Sequence, residues 1–130
     1  MPSRYIDWFN QAKKDLKHAE NSLKCEDYEW ACFSAQQSAE KATKSVFMKL
    51  NKDCWGHSVN YLLMELSKLI EVDRDLIAMA KQLDKDYILA RYPNGFDIGT
   101  PFEYYSKEDA KGSIKNAGNI IKFCESIISK

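Results

Sequence analysis

The sequence predicts an all-α fold: an antiparallel helical bundle of about five helices around a four-helix up-and-down core. Three observations lead there. Apolar residues recur every three and four positions in five successive stretches, and such spacing makes one stripe when each residue turns by about 100°. No stretch alternates apolar and polar positions long enough to read as a half-buried strand. Capping residues stand ahead of the expected helix starts.

The first helix is expected from Tyr5 to Lys24, with Tyr5, Trp8, Ala12, Leu16, Ala19 and Leu23 on its stripe and Ser3 as cap. The second runs from Tyr28 to Leu50 behind Asp27. Its interior stripe is small (Ala31, Cys32, Ala35, Ala39, Ala42, then Val46), which lets another helix approach closely, with Trp8 or Phe9 filling the space above. Trp30, Phe33 and Phe47 form a neighbouring apolar face, so this helix is either central or turned toward a second subunit. Gln36, Gln37, Glu40, Lys41 and Lys44 run between the two faces.

Ser58 opens the third helix, which carries Val59, Leu62, Leu63, Leu66, Leu69 and Ile70. Asp73 caps the fourth, with Leu76, Ile77, Ala80, Leu83, Tyr87 and Ala90. Pro93 halts it, because proline disfavours helical geometry in the residue before it. Ser106 and Asp109 form a capping pair for the fifth. That helix carries Ala110, Ile114, Ala117, Ile121, Cys124 and Ile128 in four-three alternation, a seam for another helix. Residues 93–105 hold two prolines, two glycines and four aromatics. So long a connection is either functional or pinned to the bundle by Phe96, Phe102, Tyr104 and Tyr105.

Composition narrows the function classes. The 130 residues suit one domain, expected to span 1–130, and 45% hydrophobic with 29% charged residues is ordinary globular composition. Lys+Arg and Asp+Glu are 19 each, so no global positive field draws nucleic acid or acidic membranes. The longest apolar run falls far short of the ~20 residues that span a bilayer, and the opening residues lead into polar helix without an apolar signal core. Cys25, Cys32, Cys54 and Cys124 lack disulfide-framework spacing. A cytoplasmic location is expected, with no membrane partner.

Arginine is scarce beside sixteen lysines, which singles out Arg91 next to Tyr92 and Pro93. It reads either as a phosphate clamp with Tyr92 as stacking partner, or as a cation at a helix end bridged to a carboxylate such as Glu40. His57 reads either as a backbone-bonded residue before a helix or as a general base. Cys54 and His57 have the spacing of half a zinc site, but no second half exists, so no metal is expected. Glu40 and Lys44 form a surface pair in the favourable order, or else Gln37, Glu40 and Lys41 meet Arg91 and His57 in a polar cleft.

Several segments together resemble the HEPN family (higher eukaryotes and prokaryotes nucleotide-binding): Trp8-Phe9-x-x-Ala12-x-x-Asp15-Leu16, Tyr28-x-Trp30-Ala31-Cys32-Phe33-x-Ala35-Gln36-Gln37-x-Ala39-Glu40-Lys41-x-x-Lys44, His57-Ser58-x-x-x-Leu62-Leu63, Ala90-Arg91-Tyr92-Pro93 and Asp109-Ala110. The resemblance implies a homodimer that works with a minimal nucleotidyltransferase in a toxin–antitoxin-like system. It implies a nucleotide or RNA as possible ligand and no cofactor. Gln37, Glu40, Lys41, His57, Arg91 and Tyr92 are the expected ligand-binding residues. Some members are metal-independent RNases with an Arg followed four to six residues later by His. Here no histidine follows Arg91, so that activity is not expected unless His57 replaces the missing residue opposite Arg91. A purely structural homodimer is the remaining alternative.

Overall fold

The computed structural model describes residues 3–130. Helix α1 (Tyr5–Lys24) and α2 (Tyr28–Lys49) lie antiparallel across a tight turn, and α7 (Lys107–Ile128) packs against both. Helix α3 (Val59–Leu66) and α4 (Arg74–Asp84) pack against each other and against α2, with α4 also against α7. They are followed by the short α5 (Asp86–Leu89), a 3₁₀ turn (Pro93–Gly95) and α6 (Pro101–Tyr104). There is no strand among the described residues. The fold is an all-helical bundle, as the periodicities require.

The small stripe of α2 is the centre of that bundle. Ala31, Cys32, Ala35, Ala39, Ala42 and Val46 are fully buried, because bare helix surface lets α1 and α7 come close. Phe9 fills the space above, while Trp8 stays partly exposed. The opposite side of the core is made of Leu62, Leu63, Leu66, Leu83, Ile120 and Cys124.

Several helix starts behave as expected. The Ser58 side chain accepts from Tyr61 N, that of Asp73 accepts from Asp75 N, and Ser106 with Asp109 forms a reciprocal capping box. Helix α1 differs: its cap position is Arg4, not Ser3, and no side chain caps it. Arg4 instead reaches forward to Asp7 at 3.0 Å. At α2 the cap is Asp27, but its side chain makes no capping bond.

The expected fourth helix is divided. Lys85 keeps helical angles, yet the carboxylates on either side of it are drawn to different partners. Asp84 reaches the start of α3, while Asp86 turns to Tyr105 and Ser113. The helix also ends at Leu89, well before Pro93, so Arg91 lies beyond it rather than in its last turn.

The 93–105 connection carries more local structure than its prolines and glycines suggest. Thr100 and Glu103 form a second capping box, with proline at the first turn of α6. The aromatic residues divide in role. Phe96 and Tyr104 stack on each other at 4.3 Å within the segment, while Tyr105 donates to Asp86 at 2.8 Å and so ties it to α5. Phe102 stays 66% exposed.

Candidate functional site

Helix α2 cannot close its polar stripe by itself. Gln36 and Glu40 are buried, so each needs a polar partner to offset desolvation. The loop before α3 supplies them. Gln36 Nε2 donates to the His57 carbonyl at 2.7 Å, which fixes the loop backbone. Gln37 Nε2 donates to Gln36 Oε1 at 2.8 Å. Gly56, at φ +100°, makes the turn that delivers His57.

The His57 ring then lies over Glu40. Its Nδ1 is 3.2 Å and 3.3 Å from the two carboxylate oxygens, while Lys44 Nζ donates to Glu40 Oε2 at 3.0 Å. An ionised carboxylate only accepts, so the ring donates to it from Nδ1 and turns Nε2 away from Glu40. The ring remains 57% exposed at its side chain, and a hollow of about 180 Å³ opens beside it, lined also by Asp84 and Tyr87. Asp84 is held firmly. It accepts from Ser58 Oγ and Val59 N at 2.8 Å and from Asn60 N at 2.9 Å, capping α3 from a different helix.

Tyr87 joins the two halves of the site. His57 stacks on its ring at 4.7 Å with planes 16° apart, and the Arg91 guanidinium carbon lies 4.6 Å from the same ring centre. That carbon is also 4.3 Å from Phe33 and 5.2 Å from Tyr92. Arg91 Nε donates to the Tyr87 carbonyl at 2.8 Å. Among the described residues no carboxylate lies in ion-pair range of Arg91. The expected bridge from Arg91 to Glu40 is therefore absent; Glu40 is taken by Lys44 and His57. The guanidinium is held by ring faces instead, which attract cations without cancelling their charge.

Of the expected site residues, Gln37, Glu40 and His57 come together, with Arg91 and Tyr92 one ring away. Lys41 does not join them. It pairs with Asp15 of α1 at 2.5 Å on another side of α2. The linking residues Tyr87 and Phe33 are absent from the expected set because each also fits an apolar stripe. The signal for Tyr87 was present in the sequence, since it stands four residues before Arg91, one turn away in the helix expected there. Asp84 gave no such signal. Cys54 makes no bond to His57, and burial pushes its thiol up, away from the nucleophilic thiolate.

Comparison with known proteins places this chain in a family. The HEPN domain profile matches residues 5–127. A protein of Methanocaldococcus jannaschii named "Putative toxin MJ1304" is 24% identical over 95% of this chain and 87% of its own. The crystal structure of TT1696 from Thermus thermophilus is 40% identical, with TM-score 0.94 over 97% of this chain and 99% of that one. ST0689, an archaeal HEPN homologue, is 35% identical, with TM-score 0.82 over 97% and 98%. An HEPN domain protein of Thermotoga maritima is 38% identical, with TM-score 0.78 over 95% and 98%. The sequence match across the bundle and the close likeness to solved HEPN structures make this chain a member of the HEPN domain family.

Proposed function

We propose that this chain is the HEPN component of a toxin–antitoxin-like pair. It acts as a homodimer with a minimal nucleotidyltransferase, and binds the phosphate and base of a nucleotide or RNA at Arg91, Tyr92 and His57. One observation carries the ligand reading: Arg91 is held against Phe33, Tyr87 and Tyr92, and among the described residues no carboxylate lies in ion-pair range of it. A planar cation so held offers its remaining N–H groups to phosphate oxygens. The surrounding ring faces suit a stacked base. Trp30 extends this aromatic surface, edge-on to Phe33 at 6.0 Å and half exposed. The name of the Methanocaldococcus jannaschii relative supports the toxin–antitoxin setting.

The test is calorimetric titration of ATP and of a short single-stranded RNA into the wild-type chain and Arg91→Ala. Loss of a charged phosphate contact weakens binding by about tenfold or more. Equal binding by both proteins, or binding by neither, refutes the ligand reading. Light scattering that gives a monomer, or failure of a co-expressed nucleotidyltransferase to co-purify, refutes the assembly.

A second reading has its own observation. Glu40 orients His57 so that Nε2 is the free ring nitrogen, and Arg91 stands on the same tyrosine. In RNA cleavage His57 would take the 2′-hydroxyl proton as that oxygen bonds to phosphorus. The 5′-oxygen would leave with a proton from the imidazolium or from water, and Arg91 would offset phosphate charge. Cleavage unchanged by His57→Ala and by Arg91→Ala removes this reading.

A further inference from the structure

A second site lies away from Arg91, where α7 faces α5 and the 93–105 segment. A hollow of about 400 Å³ opens there, with Asp86 in its wall. Asp86 is only 8% exposed. Its two oxygens accept from neutral hydroxyls alone, Tyr105 Oη at 2.8 Å and Ser113 Oγ at 3.0 Å. Among the described residues no cation lies in ion-pair range of it. Buried carboxylates ordinarily hold a counter-charge, because the desolvation cost of a lone one is large. Here burial pushes the Asp86 carboxyl up, and the Tyr105 hydroxyl with it.

The rest of the wall has a matching character. Glu108 and Asp109 add two carboxylates against one ammonium, that of Lys85, so the hollow is acidic. Phe96, Tyr104 and Tyr105 supply ring surface, the first two stacked on each other at 4.3 Å. Carboxylates beside aromatic rings are the surroundings that an ammonium or guanidinium group favours over a bare metal ion. Gly112 of α7 also lines the hollow, and a Cβ built there meets nothing within 4 Å. Inside a helix glycine costs about 0.5–1 kcal/mol relative to alanine, and at this position its bareness keeps the wall open.

We propose that this hollow is a binding site for an organic cation, an alkylammonium or guanidinium group, whose charge is met by Asp86 and whose stem lies against Tyr104 and Tyr105. Such a group has two sources, a free di- or polyamine and the lysine or arginine side chain of a partner protein. The site does not depend on the reading of Arg91, and its test leaves that residue untouched.

The experiment is calorimetric titration at fixed ionic strength with agmatine, with spermidine and with a capped arginine-containing pentapeptide. Wild-type protein, Asp86→Asn and Gly112→Leu are compared. Asp86→Asn removes the charge with little change of shape, and Gly112→Leu adds side-chain volume to the hollow from α7 while keeping the Asp86 carboxyl. Both are expected to weaken cation binding by about tenfold or more. Circular dichroism melting checks that each variant is folded. Binding of the free amines identifies a small-molecule site; binding of the peptide alone identifies a partner's side chain. Either result supports the proposal. No binding of any probe at millimolar concentration, affinity unchanged in both variants, or equal displacement by magnesium overturns it.

Discussion

His57 Nδ1 stands 3.2 Å from Glu40 Oε1, and the Glu40 side chain it meets is only 6% exposed on the side of α2. A half-exposed imidazole is thus tied to a buried charge, and Lys44 completes the cluster from one turn further along the helix. Glu40 cannot be removed without stranding Lys44, whose side chain is only 15% exposed. Glu40→Ala is expected to destabilise the fold by about 2–3 kcal/mol, the range for breaking a largely buried charged hydrogen bond. Urea denaturation measures it. An unchanged midpoint would show the cluster to be energetically neutral.

Asp84 is a helix cap supplied from outside the helix it caps. Its carboxylate takes the Val59 and Asn60 amides and the Ser58 hydroxyl. Asp84→Ala leaves the Val59 and Asn60 amides at the start of α3 unsatisfied and frees the loop that carries His57. A loss of about 1–2 kcal/mol is expected, with faster amide exchange at Val59 and Asn60. Exchange protection equal to wild type would contradict the capping role.

The small residues of α2 set how closely the central helices approach. Ala39 is fully buried within the main core cluster. Ala39→Leu adds volume where none is free and is expected to cost about 1–3 kcal/mol. A substitution at an exposed position, such as Lys81→Leu, serves as control. A thermal midpoint for Ala39→Leu at or above wild type would show that the packing has slack.

Asp86 gives stability a pH dependence of unusual sign for a carboxylate. Burial raises its folded-state pKa above the ordinary 3.8. Between the ordinary and the raised value the native state binds more protons than the unfolded state, so stability falls as pH rises through that window. Below the window the contribution is fully present, and above it the loss is complete. Asp86→Asn removes the dependence. The wild-type-minus-variant difference in unfolding free energy is therefore expected to fall with rising pH from about 3.8 upward. A flat difference across acidic pH would show that Asp86 titrates normally.

The contrast between these sites shows how far the amino-acid order reaches. Apolar spacing in α1, α2 and α7 prescribes helices and names the face each one buries. Ser58, Asp73 and Ser106 mark starts that the backbone uses. Those features are set by interactions within a few residues, so one-dimensional order suffices. The resemblance of Phe33–Lys44 and Arg91–Tyr92–Pro93 to HEPN domains likewise needs no coordinates, and the family match agrees.

Other features depend on residues far apart in the chain. Nothing local says that Asp84 caps α3, that Lys41 turns to Asp15, or that Arg91 leaves Glu40 for ring faces. Nor does local order announce the lone Asp86 charge under Tyr105. A long polar side chain has several partners within reach, and only the packing of α2, α5, α7 and the connecting loops selects among them. The chain order determined which surfaces are buried; the tertiary structure decided which charges meet, because Coulomb and hydrogen-bond energies depend on separations in space that sequence distance does not encode.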